Sequence, residues 1–234
     1  MTIIKAKRKE WRFFMGYINK QYWENFYKDR VDLNESSTFS EFILKKKEQI
    51  IENIILIDLG CGTGKDTFYF AKNGFEVIGI DGSEKAIQRN NDLTKEHFDT
   101  NNIYFTCVDL SDVNAVQKLM AKFNDISISQ EKEILFYTRF FLHAITEETE
   151  NLIFESILAN IKFSCEIVAE FRTKEDEELD KVFDNHYRRY IDTDMLISKL
   201  INLGFSIEEF SKGRGFSIYK NEDPFLARII IKKN

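Results

Sequence analysis

The chain predicts an α/β fold: a Rossmann-like, seven-stranded, mostly parallel sheet with an antiparallel last strand, preceded by an N-terminal helical segment. Three observations carry this expectation. From Ile54 onward, short apolar runs alternate with helical patterns, the rhythm of a parallel sheet with crossover helices. The run Ile54-Ile55-Leu56-Ile57 is continuously apolar, as suits a central strand covered on both faces. That run enters a loop with glycine at every second position, Gly60, Gly62 and Gly64, and a helix pattern follows from Lys65 to Lys72. The end of a strand joined to the start of a helix is where open α/β sheets bind ligands.

Taken in order, residues 1–50 form an N-terminal helical lid segment and residues 51–234 the sheet domain. Trp11, Phe13, Phe14, Tyr17, Tyr22, Trp23, Phe26 and Tyr27 make an aromatic helical stretch. A second helix opens at Ser37 or Thr38 and carries Phe39, Phe42, Ile43 and Leu44. Most of these aromatics are expected to pack on the sheet edge, with part of the segment covering the ligand. Strands are expected near 54–58, 76–80, 103–107, 133–139, 165–171, 205–210 and 226–232. Between the last two, Gly213, Gly215 and Asn221-Glu222-Asp223-Pro224 fill the gap with turn chemistry, leaving no room for a crossover helix. The seventh strand should therefore run antiparallel to its neighbour.

The glycine spacing excludes two phosphate-binding loops. A dinucleotide fingerprint needs glycine where Lys65 stands, and a P-loop needs glycine at Leu59 and Ser or Thr at Asp66. The second strand, Glu76 to Ile80, ends in Asp81, seventeen residues beyond Gly64. A fixed carboxylate there can accept hydrogen bonds from both hydroxyls of a ribose.

On these residues the chain resembles the class I S-adenosylmethionine-dependent methyltransferases. The resemblance implies that the loop Asp58 to Gly64, including Gly60, Cys61 and Gly62, packs against the methionine part of S-adenosylmethionine, and that Asp81, with Gly82 beside it, binds the ribose. It also implies that Asp109 bonds the adenine amino group while Leu110 covers the ring, although Asp109, Ser111 or Asp112 could equally cap the next helix. Tyr22-Trp23, Tyr27 and Ser37-Thr38-Phe39 resemble an amino-terminal pattern of some small-molecule enzymes of this class, which makes Tyr27 and Ser37 the lid residues expected at the cofactor.

Bulk properties narrow the partner. The formal charge is −6 and the pI about 5.3, against a protein that gains affinity by neutralising nucleic-acid phosphates. No apolar run approaches the roughly 20 residues of a membrane span, and the start lacks a signal peptide's apolar centre. The three cysteines, Cys61, Cys107 and Cys165, read as buried thiols of a reducing compartment, so a cytoplasmic protein is expected. The three histidines are too scattered to suggest a metal site.

Methyl transfer asks the protein to position an acceptor and exclude water, with the cofactor supplying the electrophile. After the fourth strand stand Tyr137, Arg139 and His143, where base-methylating enzymes commonly carry an Asn/Asp-Pro-Pro-aromatic tetrapeptide, absent here. Arg139 needs an anionic partner, either a protein carboxylate or a substrate. Arg172 ends the fifth strand, and His186-Tyr187-Arg188-Arg189-Tyr190 groups guanidinium, phenol and imidazole in the manner of an anion site. With Arg214, these residues are expected to gather at one rim and bind an anionic small molecule, His186 and Arg189 lying at the acceptor. An anionic oxygen would need no general base, whereas a sugar hydroxyl would call on His186 or His143. The segments Tyr137 to Ile145, His186 to Tyr190, Gly213 to Phe216 and Asp223 to Arg228 are similar to a bacterial subgroup associated with surface-polysaccharide decoration, including methyltransferases of capsular phosphoramidate modification. That likeness implies O-methylation of a phosphoryl or phosphoramidate group.

Overall fold

The computed structural model describes residues 21–27, 36–98, 101–179, 181–182 and 186–233. The aromatics Trp11, Phe13, Phe14 and Tyr17 lie outside the described residues.

The seven strands are β1 (Ile54–Leu59), β2 (Glu76–Asp81), β3 (Ile103–Cys107), β4 (Glu133–Arg139), β5 (Cys165–Arg172), β6 (Phe205–Gly213) and β7 (Leu226–Lys233). They form one sheet in the order β3-β2-β1-β4-β5-β7-β6. Strands β1 to β5 pair in parallel, and β7 inserts antiparallel between β5 and β6. Every residue of β1 is buried, as its continuous apolar run requires. The expected antiparallel strand is thus β7, the last in sequence but not at the edge. The edge falls to β6, whose alternating exposure and bulge between Ile207 and Glu209 suit a strand wetted on one side.

Helices cover both faces. On one, α2 (Thr38–Lys47), α3 (Lys65–Lys72) and α4 (Glu84–His97) pack Phe39, Ile43, Phe68, Phe70 and Ile87 against Leu56, Val77 and Leu135. On the other, α5 (Val113–Gln130), α6 (Glu147–Asn160) and α7 (Thr193–Leu203) pack Val116, Met120, Ile153, Phe154, Leu196 and Leu200 against Ile55, Ile57, Phe136 and Ile167. Short polar side chains start these helices: Ser37, Ser83, Asp112, Thr146 and Asp192 each accept a backbone N–H of the first turn. Gly204, in the left-handed region, stops α7.

Strand β1 has β2 on one side and β4 on the other, so the chain reverses its winding direction there. A crevice opens beyond the carboxyl ends of these strands at such a point. Above it lies a further helical stretch, residues 21–26, here α1.

Candidate cofactor and acceptor sites

The loop after β1 is held from below. The N–H groups of Gly60 and Cys61 both donate to the Ile80 carbonyl, and Gly64 N–H donates to the Cys61 carbonyl. Gly60, Gly62 and Gly64 all take positive φ, at 77°, 52° and 75°. Here the glycines answer to contact as well as to conformation. A Cβ on Gly60 would fall inside the Phe141 ring, with Phe141 Cγ at 2.8 Å, and one on Gly62 would lie 2.7 Å from the Tyr27 hydroxyl. The loop is therefore overlaid directly by a residue after β4 and by a residue of the N-terminal segment. Asn90 of α4 secures it from behind through Nδ2 to the Gly62 carbonyl, 2.9 Å.

Asp81 is buried, and its two oxygens accept from Gly62 N and Ser83 N, both at 2.9 Å. An ionised carboxylate offers about four lone-pair sites, so acceptor capacity remains for two ribose hydroxyls. Asp58 is buried, accepts from Thr67 Oγ1 at 2.6 Å, and has its pKa pushed up to about 8 by burial and then by the Asp66 and Asp81 charges. Burial likewise raises Asp81. A crevice floor that concentrates carboxylates at such cost fits a cationic ligand, and S-adenosylmethionine carries an ammonium and a sulfonium. The donor set thus fits that cofactor. Burial and the Asp81 and Asp58 charges raise the Cys61 thiol well above the ordinary range.

Asp109 is exposed and accepts from both the N–H and the hydroxyl of Ser111, at 2.9 and 2.6 Å. Asp112 is the cap of α5, accepting from Ala115 N at 2.8 Å, so the capping alternative for Asp109 falls. Leu110 is 6% exposed and joins the core beneath α5, which leaves only its edge to cover a ring. A Cβ on Gly82 would meet the Val108 carbonyl at an ordinary 3.8 Å, so the neighbouring protein atoms do not demand glycine there.

Ser37 is buried as the N-cap of α2. Its hydroxyl bonds Asp66 Oδ2 at 2.9 Å and its N–H bonds Asp66 Oδ1 at 3.1 Å. Tyr137 Oη donates to the same carboxylate at 2.7 Å. Ser37 and Tyr137 thereby tie α2 to α3 and β4, and burial with the Asp66 charge holds the Tyr137 phenol well above its usual pKa. Asp66 had no separate signal in the sequence beyond its place in a helix's first turn.

The arginines find protein partners. Glu170, fully buried, accepts from Arg139 Nε at 3.1 Å and from Arg228 Nε at 2.7 Å. Arg172 pairs with Asp176 at 2.6 Å and with Glu222. Arg189 pairs with Glu150, which Lys199 also binds, and donates to the Leu142 carbonyl. Arg214, exposed, lies beside Asp223. The expected convergence of guanidinium groups on a substrate is corrected to this extent: Arg139, Arg172, Arg189 and Arg214 each meet a carboxylate of the chain, because a guanidinium taken out of water needs an opposite charge and the fold brings one within reach. Arg188 reaches the Nε2 edge of the His186 ring, and Lys181 stands over the Tyr190 ring at 5.3 Å.

Both candidate base histidines have a defined tautomer. Arg172 N–H donates to His143 Nδ1 at 3.1 Å, so His143 carries its proton on Nε2, and burial with the surrounding arginines holds it neutral. Arg188, which can only donate, sits 3.2 Å from His186 Nε2 and makes that nitrogen the acceptor. His186 stacks on Tyr22 at 4.8 Å and meets Trp23 edge-on at 5.3 Å. Between these groups Phe140 adopts φ 55°, strained for a bulky residue, with the Arg139 guanidinium 4.4 Å from its ring. Nothing in the sequence marks Phe140 or Phe141.

Residues 50–152 match the family model described as "Methyltransferase domain". The chain as a whole has the fold of a S-adenosylmethionine-dependent methyltransferase from Anabaena variabilis (20% identity, 92% of this chain and 93% of that one, TM-score 0.67). It is similar, too, to the magnesium protoporphyrin IX methyltransferase of Synechocystis, solved with S-adenosylhomocysteine (15% identity, 83% and 80%, TM-score 0.59). The [4+2]-cyclase SpnF shares the architecture (14% identity, 87% and 84%, TM-score 0.61). No curated protein sequence matches. S-adenosylmethionine, which the residues of the crevice fit, would supply an electrophilic methyl group when bound. Among the described residues, no helix is long and apolar enough to cross a membrane, and no group of histidine, cysteine and acid side chains could hold a metal.

Proposed function

We propose that the enzyme O-methylates a small acceptor whose attacking oxygen is already anionic, a phosphoryl or phosphoramidate group of a metabolite or surface-glycan precursor in the cytoplasm. The observation that carries this reading is the state of the two histidines. The lone pair of His143 Nδ1 is taken by the Arg172 N–H and that of His186 Nε2 by Arg188. The nearby carboxylates Glu150, Glu170 and Glu222 each answer a cation, and Tyr137 holds its proton against Asp66. Among the described residues, a neutral hydroxyl would have to pass its proton to one of these groups during attack, and each is already committed. An anionic oxygen has no proton to lose.

In this reading Asp58, Asp81 and the glycine loop hold the cofactor, with Asp109 and Leu110 at the adenine. Residues 1–50 act as the lid, Tyr27 lying over Gly62 and Ser37 anchoring the second helix. His186 and Arg188 orient the acceptor. Arg189, Arg172, Arg139 and Tyr190 form the framework that fixes that pair.

The test uses tritiated S-adenosylmethionine with two panels, phosphorylated monosaccharides and the corresponding neutral methyl glycosides. The expected result is label in the phosphorylated panel, a kcat that stays level from about pH 6 to 9 because no base titrates, and a loss of at least about tenfold in kcat/KM for Arg188→Ala. Label confined to the neutral glycosides would overturn the proposal.

A further inference from the structure

Glu24 of α1 reaches across to the start of α4. Its Oε1 accepts from Glu84 N at 2.8 Å and its Oε2 from Lys85 N at 3.4 Å. The local cap, Ser83, accepts from Ala86 N at 3.2 Å. The first turn of α4 is thus satisfied partly from its own sequence and partly from a residue 60 positions away, and a carboxylate suits the positive end of a helix.

The same helix touches both halves of the site. Tyr27 lies against Gly62 and stacks with Trp23 at 5.6 Å, while Tyr22 and Trp23 contact His186. The described aromatics of this helix are only half-buried, so packing alone holds it weakly. Its placement needs a directional anchor. The anchor falls next to Asp81-Gly82-Ser83, the segment that meets the ribose.

We propose that Glu24 is a positioning residue, latching α1 to the amino end of α4 so that Tyr22, Trp23 and Tyr27 form one wall shared by the cofactor crevice and the acceptor pair His186 and Arg188. The proposal rests on the methyl-transfer reading, and its first readout does not depend on that reading. By coupling the two sites through one helix, the latch makes the acceptor wall complete only when the lid sits against the glycine loop.

The experiment compares wild type, Glu24→Ala and Glu24→Gln by residue-resolved amide hydrogen exchange and by calorimetric titration with S-adenosylhomocysteine. In the alanine variant, Glu84 and Lys85 amides should exchange on the order of fivefold faster, the scale of a lost cap, with the interior of α4 unchanged. Its S-adenosylhomocysteine dissociation constant should rise on the order of tenfold as the wall loses its preorganisation. Glutamine, which keeps an acceptor oxygen but not the charge, should fall between the two. Unchanged exchange at Glu84 and Lys85 would refute the latch. Faster exchange with unaltered affinity would refute the positioning role, leaving only a helix cap. A wild-type chain that did not bind S-adenosylhomocysteine would sink the methyl-transfer reading, while the amide comparison would still decide the latch.

Discussion

Asp58→Asn separates the cofactor site's electrostatic cost from its shape. The substitution keeps the size of the side chain and an oxygen to accept from Thr67 Oγ1, now at 2.6 Å, but removes the ionisable proton. In the folded chain the Asp58 carboxyl has its pKa raised from 3.8 to about 8, first by burial. Between these two values the unfolded chain has released the proton and the native chain retains it, so native stability falls as pH rises. The expected slope is about 1.4 kcal/mol per pH unit. From pH 5 to pH 7 the wild type should therefore lose about 3 kcal/mol relative to the asparagine variant, or a widening Tm gap of roughly 6–12 °C in a chain of this size. Below about pH 4 the two should converge, and above about pH 8 the gap should stop growing. The assay is thermal unfolding of both proteins without cofactor, followed across pH 4 to 9. A gap independent of pH would refute the assignment of a retained proton to Asp58. The same charge logic predicts that S-adenosylmethionine, which is cationic, favours the ionised carboxyl and expels a proton near pH 7. Calorimetry in buffers of different ionisation enthalpy should detect this for wild type and not for the variant.

Two further outcomes follow from the geometry. Gly60→Ala must hold alanine at φ 77° and also drive its Cβ into Phe141, so it should cost about 1–3 kcal/mol and weaken S-adenosylhomocysteine binding, read by thermal shift and calorimetry; an unaffected Tm would contradict the packing of Phe141 on the loop. Glu170→Ala leaves the Arg139 and Arg228 guanidinium groups without their shared buried carboxylate and should destabilise by about 3–5 kcal/mol in denaturant titration, whereas a loss under about 1 kcal/mol would show that solvent or a ligand takes its place.

What the sequence by itself determined is what depends on near neighbours. Buried strands show as continuous apolar runs, and β1, β4 and β5 fall where those runs lie because burial on both faces leaves no polar alternation to misplace them. The glycine loop and Asp81 were legible for the same reason: positive φ and the end of a strand are local conditions written in local residues. The cap of α5 was narrowed to three candidates and decided as Asp112 by one hydrogen bond. Tertiary structure alone decided the charges. Arg139 meets Glu170 across 31 residues, Arg189 meets Glu150 across 39, and Arg172 meets Glu222 across 50. A guanidinium accepts any carboxylate of suitable geometry, so which one it finds depends on how distant loops pack. The same holds for the proton positions on His143 and His186, which are set by N–H donors brought in by the fold, and for Glu24, whose partners lie on another helix. Pairing over such separations leaves no periodic trace in the chain.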